Sequence, residues 1–140
     1  LELEHASPEA LKICNYSDDD WQDAPHFEDV AETIAEKLRW GPIIAHNAQF
    51  DVNHITASFK RRGWREPNFN EKFESGKKLF RFGYPVIDTC SLAYLFVDTE
   101  RQNLAVLREH FNISDEDAHT AIKDANDCAT LFYEIIKNIR

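Results

Sequence analysis

The stretch "IIAHNAQFDVNHI", Ile43 to Ile55, decides how this chain reads. Its apolar opening ends on His46 and Asn47, and an aspartate, Asp51, follows four positions after that asparagine. Pro42 to His46 is short and apolar enough for a buried strand, while Phe50, Val52, Ile55 and Phe59 recur at helical spacing from about Ala48 to Arg62. A strand passing into a helix in this way places Asp51 at the C-terminal edge of a sheet, where α/β domains present their ligands. Taken singly, Asp51 fits a surface acid at the start of an ordinary helix equally well.

The same reading extends outward. "HFEDVAETIAEKL" sets Phe27, Val30, Ile34 and Leu38 at helical spacing, with acids early and Lys37 and Arg39 late to suit the helix dipole. Trp40-Gly41-Pro42 ends that helix, Gly41 being expected to take a left-handed exit. Further on, Val86-Ile87 reads as a brief strand feeding a helix from about Thr89. Asn103 to Phe111 fits an amphipathic helix with Leu104, Leu107 and Phe111 inward. The last helix carries Ala121, Ala125, Cys128, Phe132, Ile135 and Ile139 along one stripe. The result is a mixed α/β domain with a mostly helical C-terminal half.

At 140 residues, without internal repeats or low-complexity linkers, the chain is expected to be one domain. No run approaches the length of a membrane span. Cys14, Cys90 and Cys128 are odd in number, far apart and without CxxC spacing, so they read as buried thiols of a cytoplasmic protein. The net charge of -9 argues against a surface coated in positive charge. Yet between Ser58 and Gly83 eight basic residues, Arg61 and Arg62 among them, face only three acids. Six aromatics are interleaved with them. Cations that neutralise phosphates beside rings that stack on bases are a common single-strand binding arrangement. The plainer alternative is a long excursion, about residues 58–83, whose rings form a satellite core solvated by the charges.

Hydrolysis of a phosphodiester requires an activated water and neutralised phosphate charge, which two divalent ions held by carboxylates supply. Acids converging from different elements are the expected signature. Asp51 follows a strand, Asp124 lies early in the last helix, and His119 precedes it by five residues. A histidine there could accept a proton near neutral pH. Individually, Asp124 reads as a helix-start acid and His119 as a capping or core histidine.

As an ordered set these residues resemble the DnaQ-like (DEDDh) 3′→5′ exonucleases. "HNAQFD" (His46 to Asp51) is similar to that family's second motif and "HTAIKDA" (His119 to Ala125) to its third, H-x-A-x-x-D-A. "VIDTCSLA" and "NLAVLREHFNI" fall between them in the expected order, and the likeness covers nearly all of the chain. The resemblance implies an α/β, ribonuclease H-like exonuclease domain using two Mg²⁺ or Mn²⁺ ions. It implies Asp124 as a metal ligand, His119 as the general base, and Asp51 serving the second metal. Asn47 and Phe50 match positions near a bound 3′ nucleotide, although either could simply finish a packed strand–helix turn. His46 is expected to be structural.

One departure stands out. The family's first motif, an Asp-x-Glu on the opening strand, has no clear counterpart. Glu2-Leu3-Glu4 has the strand alternation but begins with Glu, and Asp98-Thr99-Glu100 lies between segments that match later helices. The expectation is a domain lacking its N-terminal strands, with the apolar faces of Pro42–His46 and the last helix left uncovered. The function implied is release of mononucleotides from the 3′ end of DNA, single-stranded by preference, with a polymerase, another replication protein or a second copy as partner. The rivals are the same chemistry on RNA, a non-catalytic nucleic-acid-binding relative, and a fragment completed by a partner chain.

Overall fold

A computed structural model describes residues 6–13, 16–116, 118 and 120–139 of the protein. Seven helices and two strands follow in the order α1 (Pro8–Ile13), α2 (Asp18–Trp21), α3 (Phe27–Arg39), β1 (Ile43–Ala45), α4 (Ala48–Arg61), β2 (Val86–Asp88), α5 (Thr89–Phe96), α6 (Leu104–His110) and α7 (Ala121–Ile139). The strands pair in parallel, Ile43 with Val86, Ile44 with Ile87 and Ala45 with Asp88. Parallel strands need a long crossover, and α4 with the excursion behind it provides one. The mixed helix–sheet arrangement with a small parallel sheet agrees with the ribonuclease H-like expectation.

Apolar side chains gather in two clusters. Ala31 and Ala35 of α3, Phe59 of α4 and Phe80 of the excursion form the first. Phe59 is its hub, stacked on Phe80 at 4.6 Å and edge-on to Phe27 and Trp64 at 5.0 and 5.1 Å. Ala93 of α5, Leu107 of α6, and Leu131 and Ile135 of α7 form the second. Between them α4 packs on both strands and α7 on β1.

Three expectations need correction. The strand expected to be buried is half-open: Ile44 is 37% exposed and Val86 39%. Its outer edges are unpaired among the described residues, and a two-stranded sheet cannot cover its own face. The helix before β1 ends with Trp40 in the right-handed region, and Gly41 does not adopt positive φ. The glycine that matters is Gly83, whose N–H donates to Leu38 O at 2.6 Å. A Cβ there would sit 1.9 Å from the Gly41 carbonyl oxygen. Finally, the buried face of α7 is rotated from the expected stripe. Asp127, Cys128, Leu131 and Ile135 are buried, whereas Ala121 and Ala125 are exposed and Ile139 is 47% exposed. That face turns inward because α5 and α6 present Ala93 and Leu107 to it.

Candidate active site

Both strands end at the same level, and one carboxylate organises what leaves them. Asp88 Oδ1 accepts from the N–H groups of Asn47 at 2.8 Å, Ala48 at 3.3 Å and Cys90 at 3.1 Å, and Oδ2 from Ser91 Oγ at 2.7 Å. Asp88 thus caps α5 while also satisfying the turn into α4. Helix starts carry orphaned N–H donors and a positive dipole end, so an anion between two of them is strongly favoured. Burial opposes the charge, but the hydrogen bonds from Ser91, Cys90, Ala48 and Asn47 hold the carboxyl below its usual range. Asn47 itself sits in the left-handed region, at φ 61° and ψ 51°. Asparagine tolerates that conformation better than most residues.

Beneath this turn lies a buried polar contact. Thr89 Oγ1, fully buried, donates to the Ala45 carbonyl at 3.3 Å and lies 3.0 Å from His46 Nδ1 and 3.5 Å from Cys128 Sγ. Burial pushes the His46 pKa down, against the pull of Asp88 and of its bond with the Gln102 backbone. It pushes the Cys128 thiol up, assisted by the charges of Asp51 and Asp88.

Asp51 is exposed in the first turn of α4, and Phe50 beside it is 60% exposed with its ring 4.3 Å from that of His54. Asp124 lies one turn before Cys128 on α7. The charge of Asp51 is felt at Cys128, and α4 and α7 both pack on β1. Asp124 is engaged there: Arg108 of α6, itself buried, donates from Nη2 to Asp124 Oδ1 at 2.5 Å and from Nε to Asp127 Oδ2 at 2.6 Å. Lys123 Nζ completes the network on Asp127 at 2.6 and 2.7 Å. Burial disfavours the Asp127 charge, but Lys123 and Arg108 hold its carboxyl below the usual range.

Of the sequence-derived site residues, Asn47, Phe50 and Asp51 lie at this end of the sheet, and Asp124 lies on α7 one turn before Cys128. His119, Cys14, Glu2 and Glu4 lie outside the described residues. Asp98 and Glu100 are exposed in the loop between α5 and α6. Arg61 and Arg62 end α4, about 15 Å along the helix from Asp51 at the usual rise. Arg62 is bound to Glu28 at 2.6 Å over the Phe27 ring, and both arginines line a cavity with Trp21 and His26. Sequence reasoning missed Asp88 and Arg108. An aspartate closing a strand just before a helix is a capping signal. A cation beside an inward leucine gives no comparable cue.

Among the described residues no three His, Cys, Asp or Glu side chains gather to hold a metal. The donors present, two carboxylates from different helices, suit a hard divalent ion that takes one or two carboxylates and completes its shell with water and substrate phosphates.

A family described as "Exonuclease" (RNase_T) matches residues 1–132. The PolC-type DNA polymerase III of Bacillus cereus is 27% identical over 130 residues, 92% of this chain and 8% of that protein. That of Caldanaerobacter subterraneus is 28% identical over 120 residues, 85% of this chain and 7% of that protein. The 3′-5′ exonuclease DinG of Staphylococcus haemolyticus is 31% identical over 111 residues, 79% of this chain and 11% of that protein. The chain therefore spans about a tenth of the length of these relatives. No described helix is long and apolar enough to cross a membrane. With the family matched over residues 1–132, and relatives that include a named 3′-5′ exonuclease 31% identical over 79% of the chain, this chain belongs to the DnaQ-like exonuclease family.

Proposed function

We propose that residues 1–140 act as one 3′→5′ exonuclease domain, with an excursion at about 58–83, releasing mononucleotides from single-stranded DNA. What supports this is Asp51 in the first turn of α4 and Asp124 in the first turn of α7, both helices packing on β1, within a chain of the exonuclease family. Asp124 and Asp51 would hold Mg²⁺ or Mn²⁺, two ions in all, which supply charge neutralisation at the scissile phosphate. His119 would take the proton of the attacking water. Asn47 and Phe50, at the exposed start of α4, would meet the terminal nucleotide, Phe50 by stacking on its base. Arg61, exposed at the end of α4, would meet phosphates farther along the strand, and Arg62 would do so on leaving Glu28. The relatives named as DNA polymerase support DNA as the substrate and a replication setting, with a polymerase as partner; a second copy of the chain is the alternative partner.

The test uses a 5′-labelled single strand as DNA and as matched RNA. The expected result is a ladder shortening from the 3′ end in Mg²⁺, abolished by chelation and faster on DNA. Faster RNA cleavage would move the substrate to RNA. A second reading, a non-catalytic binding relative, is favoured by Arg108 lying on Asp124. It predicts salt-sensitive binding of the strand with no shortening in either metal.

A further inference from the structure

Among the described residues Arg108 is the one buried basic side chain. Its guanidinium is 5% exposed, sits on α6 beside the fully buried Leu107, and touches the carboxylate expected to bind metal. A buried guanidinium needs anionic partners, because removing an unpaired charge from water is very costly. Asp127, also 5% exposed, is one partner, and Lys123 already binds that carboxylate through both oxygens. Two cations therefore face one buried anion, and Asp124 supplies the second. Its side chain is 39% exposed against 5% for Asp127, so of the two carboxylates it is the one that a solute ion can reach.

We propose that Arg108 is a resident counter-cation that competes with divalent metal for Asp124. The inference rests on the exonuclease reading for the metal itself. A divalent ion that shared Asp124 would stand close to a guanidinium that Asp127 holds in place, and the two cations would repel. That repulsion weakens the metal without preventing it, since Arg108 keeps its Nε bond to Asp127 at 2.6 Å whichever cation Asp124 meets. Arg108 thus positions Asp124 and sets the metal concentration at which this domain is loaded.

Calorimetric titration of the metal-free protein with Mn²⁺ and with Mg²⁺, without nucleic acid, tests this. Arg108→Met should bind about tenfold more tightly, an unscreened unit charge so close being worth more and partial exposure and salt reducing it. Arg108→Lys, which keeps the charge, should stay close to the unaltered protein. In an Asp124→Asn background, Arg108→Met should make no difference. The pair Arg108→Met with Asp127→Leu guards against misfolding, because a buried ion pair replaced by apolar groups is often tolerated; its melting curve reports that it is folded. Equal or weaker binding by both neutral variants would overturn the proposal while leaving the exonuclease reading intact. No binding by any form at millimolar metal would overturn both.

Discussion

The end of the sheet and the basic excursion are both rich in polar side chains, and they use them in opposite ways. At the sheet end a few groups converge from distant segments. Asp88 gathers the starts of α4 and α5, Thr89 joins His46 to Cys128, and Arg108 ties α6 to α7. In the excursion most charges meet local partners. Arg65 binds Glu71 through two bonds of 2.7 Å, Lys77 binds Glu74, and Arg39 and Arg81 lie over the Phe73 ring. Its aromatic residues divide as well, with Phe80 buried beside Phe59 and Phe69 fully exposed. Polar groups at the sheet end tie distant segments together, whereas those of the excursion chiefly secure a loop around a satellite core.

The sharpest way to break this contrast is to remove charge at each place. Asp124→Asn and Asp51→Asn should each lower cleavage of a single strand more than about 100-fold, beyond the scale seen for outer-shell partners of a metal. Strand binding, read by fluorescence anisotropy, should survive. Cleavage retained by Asp124→Asn would remove the site from the sheet end.

In the excursion the large effect should come from packing. Phe59 is fully buried and touches three rings, so Phe59→Ala should cost about 3–5 kcal/mol in denaturant unfolding. A loss below about 1 kcal/mol would mean the satellite core contributes little. Asp88→Ala should cost about 2 kcal/mol, the scale of lost helix caps, because three N–H groups lose their acceptor. Asp88→Asn, which keeps an accepting oxygen, should recover part of that.

Much of this was legible in the sequence because its signals were local. The passage from Ile43 to Arg61 declared itself by an apolar run followed by helical spacing, and the helix after Asn103 by its inward leucines. What escaped notice was what depends on distant partners. Asp88 meets Asn47 and Ala48 across the crossover, and Arg108 finds its acids on the following helix. The face of α7 was misplaced for the same reason. Small residues at 121 and 125 continued the apolar period, but Asp127 goes inward because Arg108 receives it. The close approach of Gly83 to Gly41 leaves no trace in hydrophobic periodicity.

Smaller still is the pH dependence of the sheet end. His46 has its folded pKa below the usual 6.5, so below that value the unfolded chain binds a proton that the native one refuses. Stability contributed by neutral His46 is therefore complete above 6.5 and is lost as pH falls through the folded value. Asp88 adds a further loss of the same sign beneath the ordinary carboxylate range. His46→Asn should flatten the first limb of a melting-temperature profile and leave the second. An unchanged first limb would assign it to another group.

The smallest effect belongs to the exposed cations of the excursion and the adjoining end of α4. Among the described residues Lys60, Arg61 and Lys72 are exposed and make no ion pair, unlike Arg62 and Arg65. If the nucleic acid passes this side, each neutralised singly should reduce the slope of log affinity against log salt by about 0.7, one phosphate contact on a single strand. Arg65→Gln should leave the slope unchanged, since its guanidinium is already committed to Glu71, whose carboxyl it lowers to about 2. Equal slopes for all four variants would leave the excursion as packing alone, and the two regions would then differ not in degree but in kind.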